Sequence, residues 1–218
     1  MSFREYVRKL VDAGALLQAS GLCSTQYEAA GALKALEPKP VLFTHLIESE
    51  FRAVGNLFCS KASVAEYLGI PVGEMIPRLA KAIQERKPCE VVEDAPCQDV
   101  VELSPDLDQL PILRHCEQDG GNYISSGVMA ARHPQWGLNL DFHRLMQISK
   151  TEMAVRVVRN RHFDAYLRDL EVVEVAVCVG VAPNVLVAAA TSVERGVNEM
   201  AIANALAPLS VVRAKTVD

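Results

Sequence analysis

Four prolines between residues 88 and 111 (Pro88, Pro96, Pro105 and Pro111) constrain this chain more than any other feature. Each removes a backbone donor and drives the residue before it out of the helical region, so the stretch can hold neither a long helix nor a central strand. It reads as a connector in which only Asp99-Val-Val-Glu-Leu is strand-like. Before it, helix and strand signals alternate. Ser2-Phe-Arg-Glu5 is a capping box, and Phe3, Val7, Leu10 and Val11 recur at helical spacing until Gly14. Ser63-Val-Ala-Glu66 repeats the signal and closes at Gly69, and Pro77 suits the first turn of a helix reaching Arg86. Residues 41–45 and 52–58 read as short strands.

After the connector the pattern changes to longer strands, over 123–132, 136–148 and 153–158. A short helix follows with Phe163, Tyr166, Leu167 and Leu170 on one face, then a valine-rich segment over 172–181 that reads as a buried strand. Two small-residue helices, 184–190 and 199–207, precede a closing strand that starts at Ser210. The expectation is an α+β chain: an α/β domain over residues 1–112 and a β-rich domain over 113–218.

Half of the 218 residues are apolar and 22% are charged, which excludes a disordered or coiled-coil chain. The net charge is -5 and no Lys/Arg cluster stands out, so no nucleic-acid partner is expected. The longest apolar run, 175–183, is far short of the ~20 residues that span a bilayer, and residues 1–9 hold no apolar signal core. The expectation is a soluble, cytoplasmic protein without a membrane partner. Six cysteines without a C-x-x-C spacing read as reduced thiols, mostly packed as small hydrophobes.

No dinucleotide-binding glycine motif, P-loop, H-E-x-x-H or G-x-S-x-G occurs. Chemistry must come from polar residues in places where packing alone would not put them. Along residues 136–148, the even positions (Trp136, Leu138, Leu140, Phe142, Met146, Ile148) form an apolar face, and Asn139, Asp141, His143 and Gln147 form the other. Arg144 breaks this parity. Either it snorkels from a half-solvated strand, or a bulge turns its guanidinium towards an anion in a pocket. His162 stands at a helix start, where free N–H groups and the dipole favour an anion. Asn198 is a good N-cap for the next helix, Val197 and Ile202 fit a hydrophobic staple, and Glu199 falls in the first turn. An amide, an imidazole and a carboxylate could hold Mg²⁺ or Mn²⁺, but spacings of 23 and 37 residues leave their convergence open.

The ordered set Ala53-Val-Gly-Asn-Leu-Phe-Cys, Ala95-Pro-Cys-Gln-Asp-Val-Val, Leu110-Pro-Ile, Asp119-Gly-Gly-Asn-Tyr-Ile-Ser-Ser-Gly, Asn139-x-x-x-x-Arg144, Arg161-His162, Gly196-Val-Asn-Glu199 and Lys215-Thr-Val-Asp218 resembles the UbiD family of decarboxylases. That resemblance covers nearly the whole chain. It implies that the β-rich half is the first part of a split β-barrel of the flavin-reductase type, holding prenylated FMN. It further implies that Asn139, His162 and Glu199 bind a Mn²⁺ ion bridging to the cofactor phosphate, that K⁺ lies nearby, and that Arg161 and Arg144 line the cofactor site. Arg144 would contact the substrate carboxylate as the active-site arginine. The implied partners are a small carboxylic acid, a flavin prenyltransferase that supplies the cofactor, and further copies of the chain when it is full length.

Asp141 and His143 stand where many members carry small or aromatic residues, and Leu140-Asp-Phe-His-Arg is closer to archaeal-type members that decarboxylate a phosphorylated mevalonate derivative. Members are about twice this long, with catalytic glutamates beyond the Lys215–Asp218 segment. The expectation is therefore an N-terminal portion of a decarboxylase of an unsaturated or aromatic acid, lacking those glutamates, with an open sheet prone to association. The alternatives are a non-catalytic flavin-binding subunit and an FMN-dependent split-barrel oxidoreductase.

Overall fold

The computed structural model describes residues 1–214; the Lys215-Thr-Val-Asp218 motif lies outside the described residues. In chain order the elements are α1 (Phe3–Asp12), β1 (Leu17–Ala19), α2 (Glu28–Leu36), β2 (Val41–Phe43), β3 (Ala53–Gly55), α3 (Lys61–Leu68), α4 (Met75–Gln84) and β4 (Glu90–Val92). There follow β5 (Tyr123–Ile124), β6 (Val128–His133), β7 (Gly137–Phe142), β8 (Leu145–Gln147), β9 (Met153–Val155), α5 (His162–Leu170), β10 (Val175–Cys178), α6 (Pro183–Ala189), α7 (Glu199–Leu206) and β11 (Ser210–Val212). They form two compact units, each drawn from three stretches of chain.

The first unit comprises residues 1–67, 102–125 and 144–155. The capping box at α1 is present in full: the Ser2 hydroxyl accepts from the Glu5 N–H, and the Glu5 carboxylate accepts from the Ser2 N–H. β1 runs parallel to β2, and β3 antiparallel to it. Ala29 of α2 packs with Val41, Phe43 and Leu46. A Cβ at Gly55 would lie 2.4 Å from the Leu33 side chain, so a larger residue there would have to push Leu33 aside. β5, β8 and β9 make a second antiparallel sheet.

The second unit comprises residues 68–101, 126–143 and 156–218, of which 215–218 are not described. Its centre is an antiparallel sheet in the order β10-β6-β7. The register pairs Ala130 with Leu140 and Ala131 with Asn139, and alternation sends the two pairs to opposite faces. On one face Val128, Ala130 and Leu140 pack with Ala82 of α4, Val185 and Ala188 of α6, and Ile202, Ala203 and Leu206 of α7. On the other, Met129 and Ala131 pack with Phe163 and Tyr166 of α5. Asn184, 2% exposed, locks α6 to the end of α7 by donating to the carbonyls of Ala203 and Ala207, both at 3.0 Å.

The mixed α and β architecture agrees with the sequence reading, but several segments differ. The strand expected over 136–148 ends at Phe142 and resumes at Leu145, leaving His143 and Arg144 between β7 and β8. Arg144 is exposed there, not seated on an apolar face. The strand expected over 123–132 is interrupted at residues 125–127. The valine-rich segment gives only β10, and Val172 and Val179 are exposed, so it is no buried strand. Residues 99–103 form no strand; Val100, Val101 and Leu103 face solvent. The second capping signal belongs to Ser60, whose hydroxyl accepts from the Ser63 N–H at 3.1 Å, three residues before the sequence placed it. Cys59, Cys97 and Cys116 are exposed, so only half of the thiols pack as small hydrophobes. Among the described residues the strands form four small sheets and no closed barrel, and no helix is long and apolar enough to cross a membrane.

Candidate functional site

Strand alternation and two helix starts build the candidate site within the second unit. β7 projects Asn139 and Asp141 to the α5 side of the sheet, because residues two apart share a face. α5 begins at His162, with Arg161 in the extended N-cap position and no side-chain cap. α7 begins at Glu199 because the Asn198 side chain accepts from the N–H groups of Met200 (2.9 Å) and Ala201 (3.3 Å).

These three elements bring the expected ligands together. His162 Nδ1 lies 3.0 Å from Asn139 Oδ1 and 4.0 Å from Glu199 Oε1. Glu199 and Asn139 are almost fully buried, at 2% and 3% exposure. Glu199 Oε2 accepts from the Leu140 N–H at 3.1 Å, which ties the start of α7 to β7. Neighbouring donors of an octahedral ion with bonds of ~2.1 Å stand about 3 Å apart, so two oxygens and one imidazole nitrogen at these separations fit a Mg²⁺- or Mn²⁺-sized cation. Asn139 is essential to that donor set: among the described residues, no three His, Cys, Asp or Glu side chains gather as a metal cage.

The electrostatics suit the same ligand. Burial raises the Glu199 carboxyl to about 7; the Leu140 N–H and its own backbone N–H pull it down, and the Asp141 charge pushes it up. A cation would relieve that strain directly. Burial, then the charges of Arg195 and Arg161, hold the His162 imidazole below its ordinary value, with Asp141 opposing them. The ring is therefore neutral near pH 7, the form that ligates metal. Burial, with the charges of Glu199 and Asp141, pushes the Tyr166 phenol up to about 12, and its O–H donates to the Gly137 carbonyl at 3.1 Å.

Around the donors lie residues that sequence reasoning had no role for. Asn139 Nδ2 donates to Asp141 Oδ2 at 3.0 Å, and the same oxygen faces His143 Nε2 at 3.0 Å. His143 Nδ1 is 3.2 Å from the Arg156 carbonyl, which can only accept, so this nitrogen carries a proton. The second nitrogen can then meet a carboxylate only as an imidazolium. Burial alone would pull the His143 pKa down, but the Asp141 carboxylate 3.0 Å away and the Arg156 carbonyl outweigh it and raise it. Trp136 stacks on buried His133 at 4.0 Å and carries the Arg195 guanidinium 4.5 Å above its ring. The alternation Asn139-x-Asp141-x-His143 was visible in the sequence; the Arg156 carbonyl that orients its last member was not. Of the other expected site residues, Arg161 is exposed at the N-cap of α5, and Arg144 belongs to the first unit.

Comparison with known proteins gives a consistent result. The family model described as the 3-octaprenyl-4-hydroxybenzoate carboxy-lyase Rift-related domain, UbiD, matches residues 90–218, and that of the N-terminal domain of the same carboxy-lyase matches residues 7–83. An anhydromevalonate phosphate decarboxylase of Methanothermobacter thermautotrophicus is 34% identical over 202 residues, covering 89% of this chain and 47% of that protein. Its counterpart in Methanosarcina mazei is 32% identical over 202 residues, covering 90% of this chain and 46% of the relative. The chain thus spans about half the length of these curated relatives. Among solved structures, an evolved dimeric form of the UbiD-class enzyme HmfF from Pelotomaculum thermopropionicum, in complex with prFMN, superposes with a TM-score of 0.93 at 29% identity, covering 100% of this chain and 53% of that one.

Proposed function

The chain belongs to the UbiD family, and from that premise we propose that it is the cofactor-holding portion of a non-oxidative, reversible carboxy-lyase that uses prenylated FMN. The observation that carries the reading is the convergence of Asn139, His162 and Glu199 around one point. These three would hold a divalent ion, Mn²⁺ in this proposal, that neutralises the flavin phosphate. Arg161, one residue before His162, would add positive charge on the phosphate side. K⁺ is the second cation of the proposal, without an assigned donor set. The bound flavin supplies the electron sink when CO₂ leaves. Arg144 would orient the substrate carboxylate through a bidentate fork that lysine cannot reproduce.

Relatives named anhydromevalonate phosphate decarboxylase favour a phosphorylated, unsaturated aliphatic acid over an aromatic one as substrate. The same reading has the strands of the 113–218 domain as the first part of a split barrel following the 1–112 domain. It places the protein in the cytoplasm as a homo-oligomer in its full-length form, and it names a flavin prenyltransferase as cofactor supplier. The test is purification after co-expression with such a prenyltransferase. Mass and absorbance spectra that show bound prenylated FMN, and CO₂ release from anhydromevalonate phosphate by the full-length polypeptide, support the reading. Plain FMN with NAD(P)H oxidation instead would overturn it in favour of an oxidoreductase.

A further inference from the structure

Asn139 can serve a cation only through its oxygen, yet its amide has two ends of nearly equal shape, and something must decide which end points inward. The cation-facing end, Oδ1, lies 3.0 Å from His162 Nδ1, and the other end, Nδ2, donates to Asp141 Oδ2 at 3.0 Å. An ionised carboxylate only accepts hydrogen bonds, so Asp141 admits the NH₂ end of the amide and rejects the oxygen. The strand geometry permits the contact, because Asn139 and Asp141 are two apart on one face of β7, opposite Ala131 and Met129 of β6. Asp141 is held in turn. Its Oδ2 meets His143 Nε2 at 3.0 Å, while His143 Nδ1 is anchored on the Arg156 carbonyl and the ring lies against Phe163 at 5.1 Å between centroids. His143 is 7% exposed, so water does not compete strongly for this contact. Asp141 Oδ1 and His143 Nε2 are both buried without a hydrogen-bond partner, so Nε2 holds Oδ2 as an ion-pair contact and not as an aligned hydrogen bond.

We propose that Asp141 and His143 are positioning residues for the metal: a clamp, one layer behind the ligands, that fixes the Asn139 amide with its oxygen towards the cation. The inference rests on the reading of Asn139, His162 and Glu199 as the cation's donor set. It assigns a role to the two polar residues that follow Asn139 at alternate positions, Asp141 on β7 and His143 just after it.

Asp141→Asn is the informative variant because it preserves shape. An asparagine there satisfies His143 Nε2 best by presenting its NH₂, and that NH₂ then seeks the oxygen of Asn139 and turns its amide around. Titration of the protein with Mn²⁺, followed by the electron paramagnetic resonance signal of the free ion, reads the consequence. Asp141→Asn and Asp141→Ala are expected to weaken Mn²⁺ binding by roughly 10–100-fold, with His143→Phe weakening it in the same direction. Val185→Ala softens the core on the opposite face of the sheet, away from the amide, and is expected to lower the melting temperature while leaving Mn²⁺ affinity unchanged. Wild-type affinity in Asp141→Asn, or an equal loss in Val185→Ala, would overturn the clamp while leaving the donor set standing. A wild-type protein that takes up no Mn²⁺ would overturn the donor set and the clamp together.

Discussion

Replacing Glu199 with glutamine should make the metal-free protein more stable at pH 8, although it removes a charge from a favourable helix start. The carboxyl is 2% exposed, and burial raises its pKa to about 7 from an ordinary 4.5. The folded state therefore keeps a proton that the unfolded state has lost between those two values. Stability from this group is complete below about 4.5 and is lost as pH rises through about 7. At ~1.4 kcal/mol for each tenfold change in proton affinity, the loss by pH 8 comes to about 3 kcal/mol. Glutamine escapes that loss and keeps an oxygen to accept from the Leu140 N–H, 3.1 Å away in the wild type. It forgoes only the ~0.3–1 kcal/mol that a negative charge gains at the N-terminus of α7. Urea unfolding in a chelator should then show Glu199→Gln ahead of wild type by about 2 kcal/mol at pH 8, and level or slightly behind at pH 5. Other titrating groups cancel in the difference. Mn²⁺ at 100 times its Kd should stabilise the wild type by about 2.7 kcal/mol and the variant by much less, which reverses the order. A variant-minus-wild-type difference that is flat from pH 5 to 8 would refute the burial argument. Equal stabilisation of both proteins by Mn²⁺ would remove Glu199 from the donor set.

Two further perturbations probe the scaffold and the chemistry. Asn184→Ala deletes two hydrogen bonds to Ala203 and Ala207 and leaves those carbonyls without the partner that links α6 to α7. A loss of about 2–3 kcal/mol is expected in urea unfolding, and a loss below about 0.5 kcal/mol would contradict the link. Arg144→Ala in the full-length enzyme should abolish decarboxylation and leave flavin binding intact, with Arg144→Lys failing to restore turnover. Near-normal turnover in the lysine variant would sink the carboxylate-orienting role.

Signals carried within three or four residues were legible in the sequence, and signals carried by the rest of the fold were not. The Ser2 box and the Asn198 cap of α7 follow from side chains bonding to nearby backbone N–H groups, and both appear where the sequence put them; α5 also starts at His162, but without a side-chain cap. Helix α2 offers no such signal. It starts after Tyr27, whose φ of 70° and lack of a capping bond leave nothing for a motif to show. The break between β7 and β8 showed in the sequence only as the parity break at Arg144, which fitted a snorkelling side chain as well as a bulge. Apolar alternation continues through Met146 and Ile148, but β7 pairs with β6 whereas β8 pairs with β5 and β9, so the chain changes sheets at His143 and Arg144. That choice of partner is a tertiary event with no local cue. At the site, the residue types of Asn139, His162 and Glu199 were legible, whereas their convergence depends on the sheet register and on the placement of two helices. Asp141 and His143 were visible as unusual residues, but the hydrogen bonds that give them a purpose run through Asn139 and the Arg156 carbonyl.

The central claim is that Asn139, His162 and Glu199 hold a divalent ion that receives the flavin phosphate. Titration calorimetry of the protein with FMN and with riboflavin, each with and without Mn²⁺, isolates that phosphate, because the two ligands differ by it alone. The account predicts that Mn²⁺ tightens FMN binding at least tenfold and leaves riboflavin binding unchanged, and that His162→Ala abolishes the difference. FMN and riboflavin binding with equal affinity, whether or not Mn²⁺ is present, would contradict it.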